Sequence, residues 1–241
     1  MIKKALEYLI DLGGANILTV GGREYADREV FPVKPPMVPT LKVQNLESIV
    51  TYVKEIDDSE NDSCGGPLLV HIEDYKTVSI KGLALGEWKD REIFMLAKAE
   101  TPDFTPGGYY DAENFNIALQ SMFLQNEDRD IMLKVVGNLK DEAVRNTSDD
   151  GVSQVTTVRT GIATVADVKV PNPVTLKPYR TFIEVEQPES MFVFRMKAGG
   201  MCALVEADGG AWKLDAQNAV YEYLEDRLKE EIESKAVILM Q

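Results

Sequence analysis

Histidine is nearly absent from this chain of 241 residues: there is one, His71. Cysteine is almost as scarce, with Cys64 and Cys202 far apart. One histidine and two distant cysteines cannot fill a zinc site without carboxylates, nor do two cysteines make a disulfide scaffold. Their scarcity fits a reducing cytoplasm. A Ser-His-Asp triad would have to use His71, and no Gly-x-Ser-x-Gly elbow is present. Neither cysteine lies in a recognisable Cys-His motif. In Leu68-Leu69-Val70-His71-Ile72-Glu73 the alternation puts Leu69, His71 and Glu73 on the more polar face of a half-buried strand, which reads as a surface position rather than a catalytic base.

Other absences narrow the field further. No apolar run reaches the ~18 residues that a membrane span requires. Met1-Ile2-Lys3-Lys4 is followed by Glu7 and Asp11 with no apolar h-region between, so no signal peptide is expected. There is no Walker loop, and Gly13-Gly14 and Gly21-Gly22 lack dinucleotide-binding spacing. Asn146, Ser148, Asp150 and Gly151 match the start of a calcium loop, but Thr157 stands where its glutamate belongs. No metal, cofactor or membrane partner is predicted. Positive charge is in deficit: 26 Lys and Arg against 40 Asp and Glu leave a net charge of −14. Phosphate-backbone binding needs a basic face, so direct nucleic-acid binding is not expected. The acidity serves solubility, or else mimicry of a polyanion or docking to a basic partner.

What is present reads as α+β: mixed or antiparallel sheets, a central helical pair and a C-terminal amphipathic helix. Residues 1–40 are expected to form a short helix (2–12), a strand at Ile17–Val20 and a proline-rich extended arm; 41–241 form one α+β domain. The arm carries Pro32, Pro35, Pro36 and Pro39, which forbid helix and central strand and favour polyproline geometry. It lies on its own domain or reaches a neighbouring subunit. Asn45 should cap a helix over 46–56 with Leu46, Ile49, Val50, Val53 and Ile56 on one stripe. The acidic run from Glu55 to Asp62 reads as a solvated loop. Strands follow at Leu68–Asp74, Thr77–Leu83 and Ile93–Ala99. Asp111 and Asn126 should cap the helical pair, the second helix running to about 144. A long β-like pattern runs from Val152 to Val170, then through Tyr179, Phe182, Val185, Phe192, Val193 and Phe194. Asp149-Asp150-Gly151 and Asp208-Gly209-Gly210 read as turns, and Asp215 as the cap of a final helix ending near Ser234. The apolar tail Val237, Ile238, Leu239, Met240 either forms a last strand or docks on a partner.

Carboxylates are the one plentiful reactive group. Glu184, Glu186, Glu189, Glu206 and Asp208 are the candidates for acid–base work, with Arg180 and Arg195 as partners, although surface charge and strand-pair salt bridges account for them more simply.

Four segments carry a resemblance: 111–121, from Asp111-Ala112-Glu113-Asn114-Phe115 to Leu119-Gln120-Ser121; Asp149-Asp150-Gly151-Val152-Ser153-Gln154; Pro178-Tyr179-Arg180-Thr181-Phe182 followed by Glu186-Gln187-Pro188-Glu189-Ser190; and Glu206-Ala207-Asp208-Gly209-Gly210-Ala211-Trp212. In this order they resemble the YfdQ-like proteins of tailed phages and prophages, a domain of unknown function, over roughly residues 40–235. The resemblance implies a phage origin and the cytoplasm of a bacterial host. It brings no known site residues. Three functions are therefore carried forward. The first is self-assembly or protein binding as a homo-oligomer, through Pro32, Pro35, Pro36, Pro39 and Val237–Met240, without catalysis. The second is an acidic anti-defence or host-takeover factor bound to a basic host protein. The third is a carboxylate-dependent enzyme using Glu206 and Asp208.

Overall fold

The computed structural model describes residues 3–4, 13–14, 17–20, 23–26, 37–55, 66–84, 91–137, 147–149, 154–156, 159–160, 163–164, 168–169, 172–197 and 199–241. The chain divides into two compact units, Met1–Met37 and Val38–Gln241. In the first, β1 (Ile17–Val20) pairs antiparallel with β2 (Arg23–Ala26), Val20 opposite Arg23. The two residues between them, Gly21 and Gly22, are of the type that so short a connection favours. Most of the helix expected over 2–12, and Pro32, Pro35 and Pro36 of the arm, lie outside the described residues. Pro39 is described and is exposed, just before the second unit's first strand.

The second unit is built on a five-stranded mixed sheet. Its elements are β3 (Leu41–Val43), β4 (Leu68–Asp74), β5 (Thr77–Lys81), β6 (Ile93–Lys98) and, from the far end of the chain, β15 (Val237–Met240). The spatial order is β15-β4-β5-β6-β3. The three middle strands form an antiparallel meander, and β15 and β3 flank it in parallel. Alternation explains the core. Val70 and Ile72 of β4, Val78 and Ile80 of β5, and Met95 and Ala97 of β6 face the same side. Helix α1 (Glu47–Glu55) covers that side with the stripe Leu46, Ile49, Val50, Val53. Its start is capped twice: Asn45 Oδ1 accepts the Ser48 N–H at 2.8 Å, and Glu184 Oε1 accepts the Leu46 N–H at 2.7 Å.

A second core lies between a helical pair and a three-stranded sheet. Asp111 caps α2 (Ala112–Met122) through the Asn114 N–H, and Asn126 caps α3 (Glu127–Gly137) through the Arg129 N–H. Between them Phe123 is extended and bridges to Pro178, so the two helices are separate and meet at a tight corner. Residues beyond 137 of the second helix lie outside the described residues. The sheet order is β12 (Val174–Leu176), β13 (Ser190–Lys197), β14 (Met201–Glu206). Phe192, Phe194 and Leu204 pack from it onto Phe115, Leu119 and Phe123. Both edges of this sheet are occupied. Tyr110 and Cys202 exchange backbone hydrogen bonds beside β14, and Asp128 and Asn126 bond the Thr175 backbone beside β12. In 147–170 the described pieces are short antiparallel strands: β7 (Thr147–Asp149) and β11 (Val168–Lys169) flank β8 (Gln154–Thr156), and β9 (Arg159–Thr160) pairs with β10 (Ala163–Thr164).

Two expectations need correction. The β-like pattern does not continue through Tyr179, Phe182 and Val185; among the described residues 177–189 is irregular apart from a bridge at Pro178. Buried Gln187 holds it instead, accepting the Arg180 and Thr181 N–H groups and donating to the Phe182 and Val185 carbonyls. The final helix, α4 (Trp212–Arg227), begins before Asp215, which sits in its first turn. Gly209 and Gly210, at φ 64° and 84°, turn the chain early enough to bury Trp212. The helix breaks at Leu228 and resumes as α5 (Lys229–Glu233). The tail is a last strand, β15. No helix among the described residues is long and apolar enough to cross a membrane.

Candidate functional site

The two cores of the second unit meet at Arg180. Its side chain is 10% exposed. Its Nη2 donates to Glu206 Oε1 at 2.6 Å and its Nη1 to Ser190 Oγ at 2.8 Å. The guanidinium carbon lies 4.1 Å from the Trp212 ring centroid and 5.2 Å from that of Phe192. Burial pulls the Arg180 pKa below its ordinary value, and the charges of Glu206 and Asp208 pull it back up. The group stays ionised because arginine starts so high. Tyr75, at the β4–β5 turn, meets Trp212 edge to face at 4.7 Å. The Thr181 hydroxyl donates to the Tyr75 carbonyl.

Above this node lies a cleft of about 300 Å³. Its walls come from the β4–β5 turn (Tyr75, Lys76), the 101–106 segment (Asp103, Phe104), Tyr179 and the start of α4 (Trp212, Lys213). Lys76 Nζ donates to Thr101 Oγ1 at 2.7 Å and lies 5.8 Å from the Tyr75 ring. Lys213 Nζ lies 6.0 Å from the same ring and 5.8 Å from that of Trp212. The Trp212 indole N–H is buried and has no hydrogen-bond acceptor. A wider hollow of about 540 Å³ lies where β3 and β6 end beside α1. The helix start there already has its amides engaged by Asn45 and Glu184.

The candidate carboxylates do not converge. Glu184 caps α1, and Glu186 and Glu189 pair with Lys177 at 2.9 and 3.4 Å. Glu206 pairs with Arg180, as the sequence suggested, and Asp208 Oδ1 accepts the Gly210 N–H in the turn before α4. Arg195 contacts a backbone carbonyl, not one of these acids. His71 belongs to a separate cluster on the sheet face away from α1. There Lys81 Nζ lies 2.8 Å from Glu73 Oε1 and 3.1 Å from His71 Nδ1, and Ser79 Oγ donates to Glu73 at 2.7 Å. An ammonium has only hydrogens to give, so His71 Nδ1 is the acceptor. Among the described residues no three His, Cys, Asp or Glu side chains gather in a metal-binding group.

Of the expected interaction residues, Val237 and Leu239 turn toward the α1 side of the sheet, while Ile238 and Met240 are 45% and 42% exposed. β15 is an edge strand. The bond from the Leu68 N–H to the Ala236 carbonyl sets its phase. In a parallel ladder that turns Ile238 toward β4 and leaves the N–H and C=O of Val237 and Leu239 on the outer edge. No described strand pairs with that edge.

The residues that sequence reasoning missed are Tyr75, Lys76 and Lys213. They come from a turn and a helix start, and only tertiary folding brings them beside Arg180. No family model, no curated protein and no solved structure matches the chain.

Proposed function

We propose that this protein works by associating with other polypeptide chains, copies of itself first, in the phage or prophage setting and the bacterial cytoplasm that its resemblance implies. The observation that carries this reading is the free edge of β15. Natural sheet edges are commonly blunted by charge, proline or a bulge, because unpaired strand groups recruit other strands. Val-Ile-Leu-Met has none of these devices, whereas both edges of the three-stranded sheet are occupied. An antiparallel pairing of two β15 strands about a two-fold axis at Ile238 would join the outward groups of Val237 and Leu239 to their mates and run one sheet through both copies. That each candidate carboxylate already holds a structural partner, Glu184 at the α1 start, Glu186 and Glu189 at Lys177, Glu206 at Arg180 and Asp208 at the Gly210 N–H, favours this reading over a carboxylate-dependent enzyme.

The test is an Ile238→Lys, Met240→Lys double variant, which puts charge beside the edge without touching the core. It should fold with unchanged melting and lose self-association; unchanged association would count against the edge. A second reading draws on the outer surface of α4 and α5, where Glu222, Glu225, Asp226, Glu230 and Glu233 are all exposed. Such a surface suits a basic host protein, with salt-sensitive capture as its signature. Capture that ignores salt would exclude it.

A further inference from the structure

We propose that the cleft above Arg180 is a binding site for a small anion that carries a flat ring, with a nucleoside monophosphate as the ligand class. This does not rest on self-association. The first argument is charge. The protein carries a net charge of −14, yet Lys76, Arg180 and Lys213 line one cleft. Glu206 neutralises Arg180 at 2.6 Å. Neither lysine has a carboxylate partner among the described residues: Lys76 meets a hydroxyl and a ring, and Lys213 meets only rings. Two unneutralised ammonium groups beside one ring, Tyr75, form a locus for a phosphate, which lysine binds as a point charge.

The second argument is the start of α4. Lys213 lies in the first turn of that helix, where the backbone dipole disfavours a cation and favours an anion. The Lys213 and Leu214 N–H groups of that turn are already engaged by the Gly210 and Ala211 carbonyls, so it is the Lys213 charge that a bound phosphate relieves. Independently, Trp212 lines the cleft, is 6% exposed, and its indole N–H has no acceptor. The third argument is shape. Tyr75, Phe104, Tyr179 and Trp212 give the cleft aromatic walls, and its volume of about 300 Å³ is at the lower end for ligand pockets, which suits a mononucleotide and not a strand. Asp103, on the same wall, offers acceptors for sugar hydroxyls. An acidic protein can hold one nucleotide by local cations while its overall charge still opposes extended nucleic acid.

The test is isothermal titration calorimetry on the full chain with adenosine monophosphate, inorganic phosphate and adenosine in parallel. The nucleotide should bind saturably, and phosphate and adenosine alone at least about tenfold more weakly, since each supplies half of the contacts. Lys76→Ala and Lys213→Ala, both exposed or half-exposed changes expected to leave melting unaltered, should each weaken binding about tenfold. No saturable heat with the nucleotide, equal affinity for phosphate or adenosine alone, or unchanged affinity in both folded lysine variants would overturn the assignment. None of these outcomes bears on oligomeric mass.

Discussion

The guanidinium of Arg180 lies 4.1 Å from the Trp212 ring centroid, and the same side chain donates to Glu206. This contact joins the irregular 177–189 segment to the first turn of α4, and through Tyr75 to the five-stranded sheet. A planar cation that stacks and forks is needed; lysine offers neither property. Arg180→Ala leaves Glu206 without its partner and Trp212 without its cover, and should cost about 3 kcal/mol in urea unfolding. Arg180→Lys should recover less than half of that loss. Full recovery by lysine would show that charge alone matters.

Cys202 lies in β14 with its side chain in the second core, and burial pushes its thiol pKa up to about 12. A buried neutral thiol is a poor nucleophile. In a Cys64→Ser variant, the remaining thiol should resist a disulfide reagent at neutral pH for as long as the protein is folded and react at once in denaturant. Fast reaction of the native protein would show that β14 opens.

The Glu73 cluster predicts an acid-side effect. Burial raises the Glu73 pKa, but the hydrogen bonds from Lys81 and Ser79 and the charge of Lys81 together outweigh it and hold the carboxyl below its ordinary 4.5. A depressed carboxylate contributes stability that is present above its unfolded pKa and is lost as pH falls through the folded value. The stability difference between wild type and Glu73→Gln should therefore be constant near neutrality and shrink below about pH 4.5. A difference that persists to low pH would mean that packing, not charge, is lost.

Much of the fold was legible because local pattern and tertiary burial agree. Ile49, Val50 and Val53 repeat at helical spacing and are buried; Val70 and Ile72 alternate and are buried. Asn45, Asp111 and Asn126 cap where expected because capping is decided within a few residues. The failures are tertiary. Tyr179, Phe182 and Val185 look like strand residues, yet the Tyr179 N–H donates to the Met122 carbonyl, and Gln187 donates to the Phe182 and Val185 carbonyls while it accepts the Arg180 N–H. The sequence puts the cap of α4 at Asp215, four residues after the observed Ala211, because it does not reveal that Trp212 must cover the Arg180 guanidinium. The pairing of Arg180 with Glu206 was anticipated in kind; the cleft was not, since Lys76 and Lys213 are 137 positions apart.

The most direct test of the account is the native mass of the purified protein, measured by light scattering at tens of micromolar. One chain weighs 26.9 kDa. The account predicts a mass that is a multiple of this value for the wild type and 26.9 kDa for the folded Ile238→Lys, Met240→Lys variant. A wild type that stays at 26.9 kDa would contradict self-association through β15.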